Sequence, residues 1–185
     1  MLGLKLTTDP NWINIAEGNL EEILTDHAWC EQKAASNAIS LVVNNPEKTE
    51  MVDMLLEIAQ EELSHFKLVH EKIKERGYKL GPERKDDYVN ELAKFVRRGV
   101  SREASFIDRL LFAAMIEARS CERFRILSEN MKDEDLAAFY RDLMISEANH
   151  YKVFISFARQ YGNREETDKL DGIFRLRSRS CEKIR

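Results

Sequence analysis

The chain has 185 residues, of which 43% are hydrophobic and 34% charged, and its formal net charge at pH 7 is −4. This length and balance exclude an intrinsically disordered chain and predict a single domain over residues 1–185. The sequence has no apolar run approaching the roughly 20 residues that span a membrane, and its three widely spaced cysteines exclude a disulfide framework. We therefore expect a cytoplasmic protein without a membrane partner.

Apolar residues recur at three- and four-residue spacing along most of the chain, which is the periodicity of amphipathic helices. Asp9-Pro10 predicts the start of a short first helix, and a first long helix is expected from about Asn19 to Val43. Asn45-Pro46 is predicted to end that helix and to start the second long helix. The second continues to Arg76, because Gly77 is a typical helix terminator.

A connection and a short helix near Tyr88–Arg98 are predicted to follow. Ser101 is a suitable N-cap for a third long helix over residues 102–129, and Asp133 for a fourth over residues 134–161, before a polar tail. Two helical hairpins joined by a longer connection predict an all-α fold, a four-helix bundle with a crossover connection and extra short helices.

The second and fourth long helices carry the same motif. EELSHFKLV aligns with SEANHYKVF at a constant offset of 85 residues, which pairs Glu62 with Glu147 and His65 with His150. Glu-x-x-His on a helix places a carboxylate and an imidazole on one face, about one turn apart, where both can bind one metal ion. The alternative is two surface Glu–His contacts, but matching positions in a repeat favour metal binding.

In ferritin-like bundles, each of the other two helices adds one inward-pointing glutamate to a two-metal site. On the first long helix we predict that this residue is Glu31 rather than a solvated glutamate. On the third, Glu117 and Glu122 both qualify. Glu122 follows Cys121 as Glu31 follows Cys30, whereas the offset of 85 maps Glu31 next to Glu117. The sequence favours Glu117 and leaves Glu122 as the alternative.

Four carboxylates and two imidazoles form this predicted ligand set: Glu31, Glu62, His65, Glu117, Glu147 and His150. Oxygen donors with nitrogen suit iron or manganese, and the absence of thiolate ligands argues against structural zinc. Six protein ligands leave coordination positions open for water and dioxygen. We therefore predict two non-haem iron ions that react with dioxygen, with manganese as the alternative metal and no catalytic residue beyond the ligands.

Four stretches resemble the MiaE family over about residues 10–165: DHAWCEQKAA, EELSHF, IEARSCERF and SEANHY. The resemblance implies a ferritin-like di-iron monooxygenase that hydroxylates the isopentenyl side chain of 2-methylthio-N6-isopentenyladenosine in tRNA. It also implies an external electron donor or reductase, and the family's metal ligands match the six residues named above. The first alternative is a ferroxidase or peroxidase of the rubrerythrin type, and the second is a helical interaction protein without catalysis.

A tRNA anticodon loop is single-stranded and rich in phosphate, so we expect basic side chains to bind it. The net charge does not exclude this partner, because residues 174–185 alone carry five basic side chains and one acidic side chain. Two clusters are candidates, and for each the alternative is a solvated surface: Arg97, Arg98 and Arg102; and Arg175, Arg177, Arg179, Lys183 and Arg185. A third group, Arg119, Arg123 and Arg125, is expected to pair with neighbouring acids instead.

Overall fold

The structure is a computed structural model that describes residues 2, 4, 8–84 and 87–162. Within these residues it contains six helices and no strand, as the sequence predicts: α1 (Trp12–Gly18), α2 (Leu20–Asn44), α3 (Thr49–Glu75), α4 (Asp87–Ala93), α5 (Arg102–Asn130) and α6 (Glu134–Tyr161). The basic tail predicted after the fourth long helix lies outside the described residues. Among the helices of the described ranges, none has both the length and the apolar content needed to cross a membrane.

Contacts within the chain define two compact units, one of residues Asn14–Asp86 and one of Met1–Ile13 with Asp87–Arg185. In the first unit α2 packs against α3. In the second unit α5 packs against α6. The organisation of residues 1–185 as a single domain stays a prediction.

The turn between α2 and α3 differs from the prediction, because α3 begins at Thr49 and not at Pro46. The Asn45 side chain donates a hydrogen bond to the Leu41 carbonyl at 2.9 Å, and its backbone N–H donates to the Val42 carbonyl at 3.1 Å. Both bonds satisfy carbonyls that the end of α2 leaves without a helical partner. Asn45 therefore closes α2, and Pro46 lies in the turn that follows instead of in the first turn of α3.

The segment after α3 returns along α2 within the same unit. Gly77 has a φ of +74°, a conformation that glycine adopts without strain, and it ends α3 as predicted. Trp29 Nε1 on α2 then donates a hydrogen bond to the Gly81 carbonyl at 2.9 Å. Arg84 Nη1 donates to Glu22 Oε2, also at 2.9 Å. These contacts hold residues 78–84 against the N-terminal half of α2.

Side-chain caps begin both long helices of the second unit, as predicted. Ser101 Oγ accepts a hydrogen bond from the Ala104 N–H at 3.1 Å, and Asp133 Oδ1 accepts one from the Leu136 N–H at 3.1 Å. Each bond satisfies a backbone donor in a first helical turn. The short helix α4 ends at Ala93, earlier than the predicted Arg98.

Candidate metal centre

All six predicted metal ligands are buried, and none of them is more than 9% exposed: Glu31, Glu62, His65, Glu117, Glu147 and His150. An ionised carboxylate loses a large hydration free energy on burial unless a cation, a proton or hydrogen bonds compensate it. Four buried glutamates therefore need cations, protons or hydrogen bonds close by. They fall into one ligand set in each unit of the chain.

The first ligand set consists of Glu31 on α2 with Glu62 and His65 on α3. His65 Nδ1 lies 3.4 Å from Glu62 Oε2 and 3.6 Å from Glu31 Oε2. One ligand atom from each of the three residues lies within 4.8 Å of the other two. Ligand atoms bonded to one ion at about 2.0–2.2 Å are separated by roughly 3–4 Å, so this spacing fits a single metal ion.

The protonation of the first set shows how it compensates its own charge. Burial lowers the pKa of His65, whereas hydrogen bonds to Glu31 and Glu62 and the charges of these carboxylates raise it to about 10. Burial raises the pKa of Glu31, but hydrogen bonds with Glu62 and two histidines hold it well below its usual value. Without metal, a proton on His65 therefore occupies the place of a cation among these carboxylates.

One of those two histidines is a residue that the ligand prediction did not include. His27 Nε2 lies 2.5 Å from Glu31 Oε1, and both side chains are buried. The sequence signal for this pair is its four-residue spacing, which places both side chains on one face of α2. His27 thus contacts a predicted metal ligand from outside the predicted set.

The second ligand set consists of Glu117 on α5 with Glu147 and His150 on α6. Again one ligand atom from each residue lies within 4.8 Å of the other two. His150 Nδ1 lies 3.9 Å from Glu147 Oε1, so the imidazole faces the glutamate of its own motif through the same nitrogen as His65. The internal repeat read from the sequence therefore produces two similar arrangements of two carboxylates and one imidazole.

Glu122, the alternative to Glu117, is also buried but has other partners. Its Oε1 accepts a hydrogen bond from the Thr8 N–H at 3.1 Å, and its Oε2 accepts one from Thr8 Oγ1 at 2.9 Å. Arg119 Nη1 forms an ion pair with the same Oε2 at 2.5 Å. The geometry therefore favours Glu117 as the α5 ligand, although the assignment of all six ligands stays a prediction.

Arginines of α5 contact other residues of the second unit, and two of the three named in the prediction pair with acids as expected. Arg119 pairs with Glu122, and Arg125 Nη1 lies 3.5 Å from Glu129 Oε2. Arg123 instead stands over the ring of Trp12, with its guanidinium carbon 5.6 Å from the ring centroid. Cation–π contacts of this kind stabilise a fold by about 0.5–1 kcal/mol at exposed sites.

In the basic cluster of Arg97, Arg98 and Arg102, Arg97 is paired with an acid. Arg97 donates to Asp108 through Nε at 2.7 Å and through Nη2 at 2.8 Å, and its backbone N–H donates to the same carboxylate at 3.0 Å. This paired geometry commits the Arg97 guanidinium to Asp108. Arg98 and Arg102 are exposed. Phosphate binding by Arg97, Arg98 and Arg102 stays a prediction, with the Arg97 guanidinium already paired to an acid.

The donor chemistry of both sets fits iron. Each offers two carboxylates and one imidazole and no thiolate, which suits iron or manganese better than structural zinc. Two divalent ions neutralise four carboxylates, which meets the charge requirement set by burial. An all-helical fold whose long helices carry single glutamates and Glu-x-x-His motifs defines the ferritin-like class of metalloproteins.

A family model described as tRNA-(MS[2]IO[6]A)-hydroxylase (MiaE) matches residues 2–183. The chain therefore belongs to the MiaE family, and the resemblance found in its motifs is confirmed. The prediction that the chain is an enzyme of the tRNA hydroxylase type is confirmed with it.

Two relatives agree with this family, and one solved structure has a similar fold. Proteins of Pseudomonas putida and Salmonella typhimurium, both named tRNA 2-(methylsulfanyl)-N(6)-isopentenyladenosine(37) hydroxylase, are 38% and 30% identical to the chain. The matches cover 86% and 85% of this chain and 76% and 75% of the relatives. A solved structure entitled "Protein 43 with aldehyde deformylating oxygenase activity from Synechococcus" has a TM-score of 0.87 and 34% identity, over 94% of this chain and 85% of that one. The predicted all-α, ferritin-like fold class is thereby confirmed.

Proposed function

We propose that the protein is an oxygen-dependent, non-haem di-iron monooxygenase that hydroxylates the isopentenyl side chain of 2-methylthio-N6-isopentenyladenosine in tRNA. The observation that carries this proposal is a pair of buried sets of two carboxylates and one imidazole in a chain of the MiaE family. The names of both relatives specify this nucleoside and position 37 of tRNA.

We propose that one iron binds to each set, the first to Glu31, Glu62 and His65 and the second to a matching group on α5 and α6: Glu117, Glu147 and His150. The support is the spacing of the donor atoms within each set and their burial. When bound, the two irons supply the redox chemistry that splits dioxygen. The protein side chains hold the ions, exclude bulk water through burial, and give up the His65 proton when metal binds.

The reaction balances only with an outside source of electrons. Hydroxylation converts one C–H bond to C–OH, and the second oxygen atom leaves as water after the uptake of two electrons and two protons. An external electron donor or reductase is therefore part of this proposal. So is a location in the cytoplasm, where a tRNA substrate and such a donor are both at hand.

The tRNA-binding part of the proposal rests on the turn before α5. Arg98 in this turn and Arg102, the first residue of α5, are exposed, and the Arg97–Asp108 pair fixes the turn to α5. Exposed arginines on a fixed turn suit contacts with the phosphates of an anticodon loop. The exposed arginines would contribute to tRNA affinity and to the position of the tRNA on the protein. Recognition of the modified base needs a pocket in addition.

A single turnover with isotopically labelled dioxygen tests the proposed function. Reduced, iron-loaded protein is mixed with tRNA carrying the isopentenylated nucleoside, and the nucleosides are then analysed by mass spectrometry. We expect the label in the prenyl group, and none when the metal-free protein is used as the matched control. Iron oxidation without a labelled nucleoside, on tRNA shown to carry the substrate base, would identify a ferroxidase instead.

A further inference from the structure

The two ligand sets differ at the position one turn before the single glutamate. On α2 this residue is His27, whose Nε2 contacts Glu31 Oε1 at 2.5 Å. On α5 the corresponding residue, four positions before Glu117, is Ala113, whose methyl group neither donates nor accepts a hydrogen bond. The internal repeat is therefore broken at His27, although it holds at the Glu-x-x-His motifs.

The contact with His27 divides the two oxygens of the Glu31 carboxylate between different neighbours. Oε1 is taken by His27, while Oε2 faces His65 Nδ1, a second member of the ligand set, at 3.6 Å. His27 and Glu31 are 7% and 3% exposed, so little water competes for this hydrogen bond. A hydrogen bond between buried polar groups restrains the carboxylate plane, because rotation of Glu31 away from His27 would break this bond where little water can replace it.

We propose that His27 is a positioning residue that reserves Glu31 Oε1, so that Glu31 presents Oε2 alone to a metal ion. The inference rests on the proposed iron-binding function. A carboxylate with one oxygen held in this way is favoured to bind a metal through the other oxygen, because chelation would place the ion and the imidazole on the same oxygen. Ala113 cannot hold Glu117 in this way, so the two ligand sets differ in the group one turn before their single glutamate although their three ligands are of the same types.

Groups outside the ligand set that hydrogen-bond to a ligand orient it and tune its affinity for metal. Loss of such a group typically lowers metal affinity about 10- to 100-fold. We therefore expect His27→Leu to weaken binding at one of the two iron positions by this factor and to leave the other unchanged. His27→Gln should restore binding, because the glutamine amide nitrogen can reach the position of the imidazole Nε2.

The test is an anaerobic titration of the metal-free full-length protein with ferrous iron, followed by Mössbauer spectroscopy of the loaded protein. No tRNA is present, so the result is independent of the substrate. We expect the wild type to show two ferrous components of equal area. In His27→Leu one component should change its quadrupole splitting and the other should not, and His27→Gln should return the wild-type spectrum.

His70→Leu is the matched control. His70 lies in the same helical hairpin, stacks on Phe66 and belongs to neither ligand set. It should leave both components and both affinities unchanged. If His27→Leu does not fold, His27→Asn is used instead. The shorter asparagine side chain cannot reach Glu31 Oε1, so this variant should show the effects expected of His27→Leu.

Three results would overturn the inference, and they differ from each other. Two identical iron components in the wild type would show that the positions are equivalent. Unchanged spectra and affinities in the variants without the His27–Glu31 hydrogen bond would show that this bond is only structural. Complete loss of one iron that glutamine does not restore would make His27 a metal ligand. Failure of the wild type to bind iron at all would instead remove the proposed function together with this inference.

Discussion

Glu122 and Arg119 form a buried ion pair within one turn of α5, with Arg119 Nη1 2.5 Å from Glu122 Oε2. Thr8 completes the arrangement by donating to both oxygens of the same carboxylate. Two buried glutamates five residues apart on α5 therefore have different partners. Glu122 binds the N-terminal segment to α5, while Glu117 lies with Glu147 and His150 in the second ligand set.

Substitution of each glutamate by glutamine separates these roles. Glu117→Gln should abolish the reactivity of the reduced protein with dioxygen and lower its iron content, because an amide is a poor replacement for an anionic ligand. Glu122→Gln should keep both properties, but it should lower the free energy of unfolding by about 1–3 kcal/mol, since Arg119 loses its charged partner. Iron analysis and urea denaturation measure the two effects. The reverse pattern would make Glu122 the α5 ligand.

The two ligand sets should lose iron separately. The purified wild-type protein is expected to bind about two irons per chain. Glu62→Ala with His65→Ala should reduce this to about one, because only Glu31 is left in the first set, and Glu147→Ala with His150→Ala should have the same effect on the second set. Metal analysis of the two double variants after anaerobic reconstitution checks the expectation. Full occupancy in either double variant contradicts the assignment of that set.

Local sequence signals located most of this fold, and long-range contacts account for what they missed. Ser101 and Asp133 were recognisable as caps because a cap bonds a backbone N–H three residues away. The sequence predicts too early a start for α3, because the Asn45 side chain turns back to close α2. The partner of Glu122 was not predictable, since Thr8 lies 114 residues away in the sequence.

The same distinction applies to the candidate site. The Glu-x-x-His motifs and their repeat predict four of its residues, because each motif lies within a single helical turn. The choice between Glu117 and Glu122 was harder, since the Cys-Glu dipeptide at Cys121 imitates the one at Cys30. The ion pair of Arg97 with Asp108 is likewise not predictable from the sequence, because it depends on how the turn before α5 folds back onto that helix.

The stability of the metal-free protein should depend on the His65 proton. The folded protein raises the pKa of His65 from 6.5 to about 10, so folding favours its protonated form. The resulting stabilisation is complete below pH 6.5, and it is lost as the pH rises towards about 10. Urea denaturation between these pH values should show a falling free energy of unfolding. His65→Gln should flatten this dependence, and a metal bound in place of the proton should do the same. A wild-type stability that is independent of pH over this range contradicts the prediction.

Substitutions near the start of α5 can separate the two arginines proposed to bind tRNA from Arg97, which pairs with Asp108. Arg98→Ala with Arg102→Ala should weaken tRNA binding and reduce the slope of log affinity against log salt, by about 0.7 for each phosphate of single-stranded RNA that the variant no longer binds. Iron content should not change, because neither side chain belongs to a ligand set. The unfolding free energy, measured on the same variant, shows whether the fold is kept. Binding isotherms at several salt concentrations measure the slope.

Arg97→Ala is the matched control for this pair. It leaves the buried Asp108 carboxylate without its guanidinium partner, so it should lower the free energy of unfolding by about 1–3 kcal/mol. Once allowance is made for the folded fraction, the salt slope of tRNA binding should stay at the wild-type value, since Arg97 is committed to Asp108. If Arg97→Ala reduces the slope as much as the double variant without loss of stability, Arg97 contacts phosphate and the division of the cluster is wrong. If the double variant binds tRNA as the wild type does at every salt concentration, the phosphates are bound elsewhere on the protein.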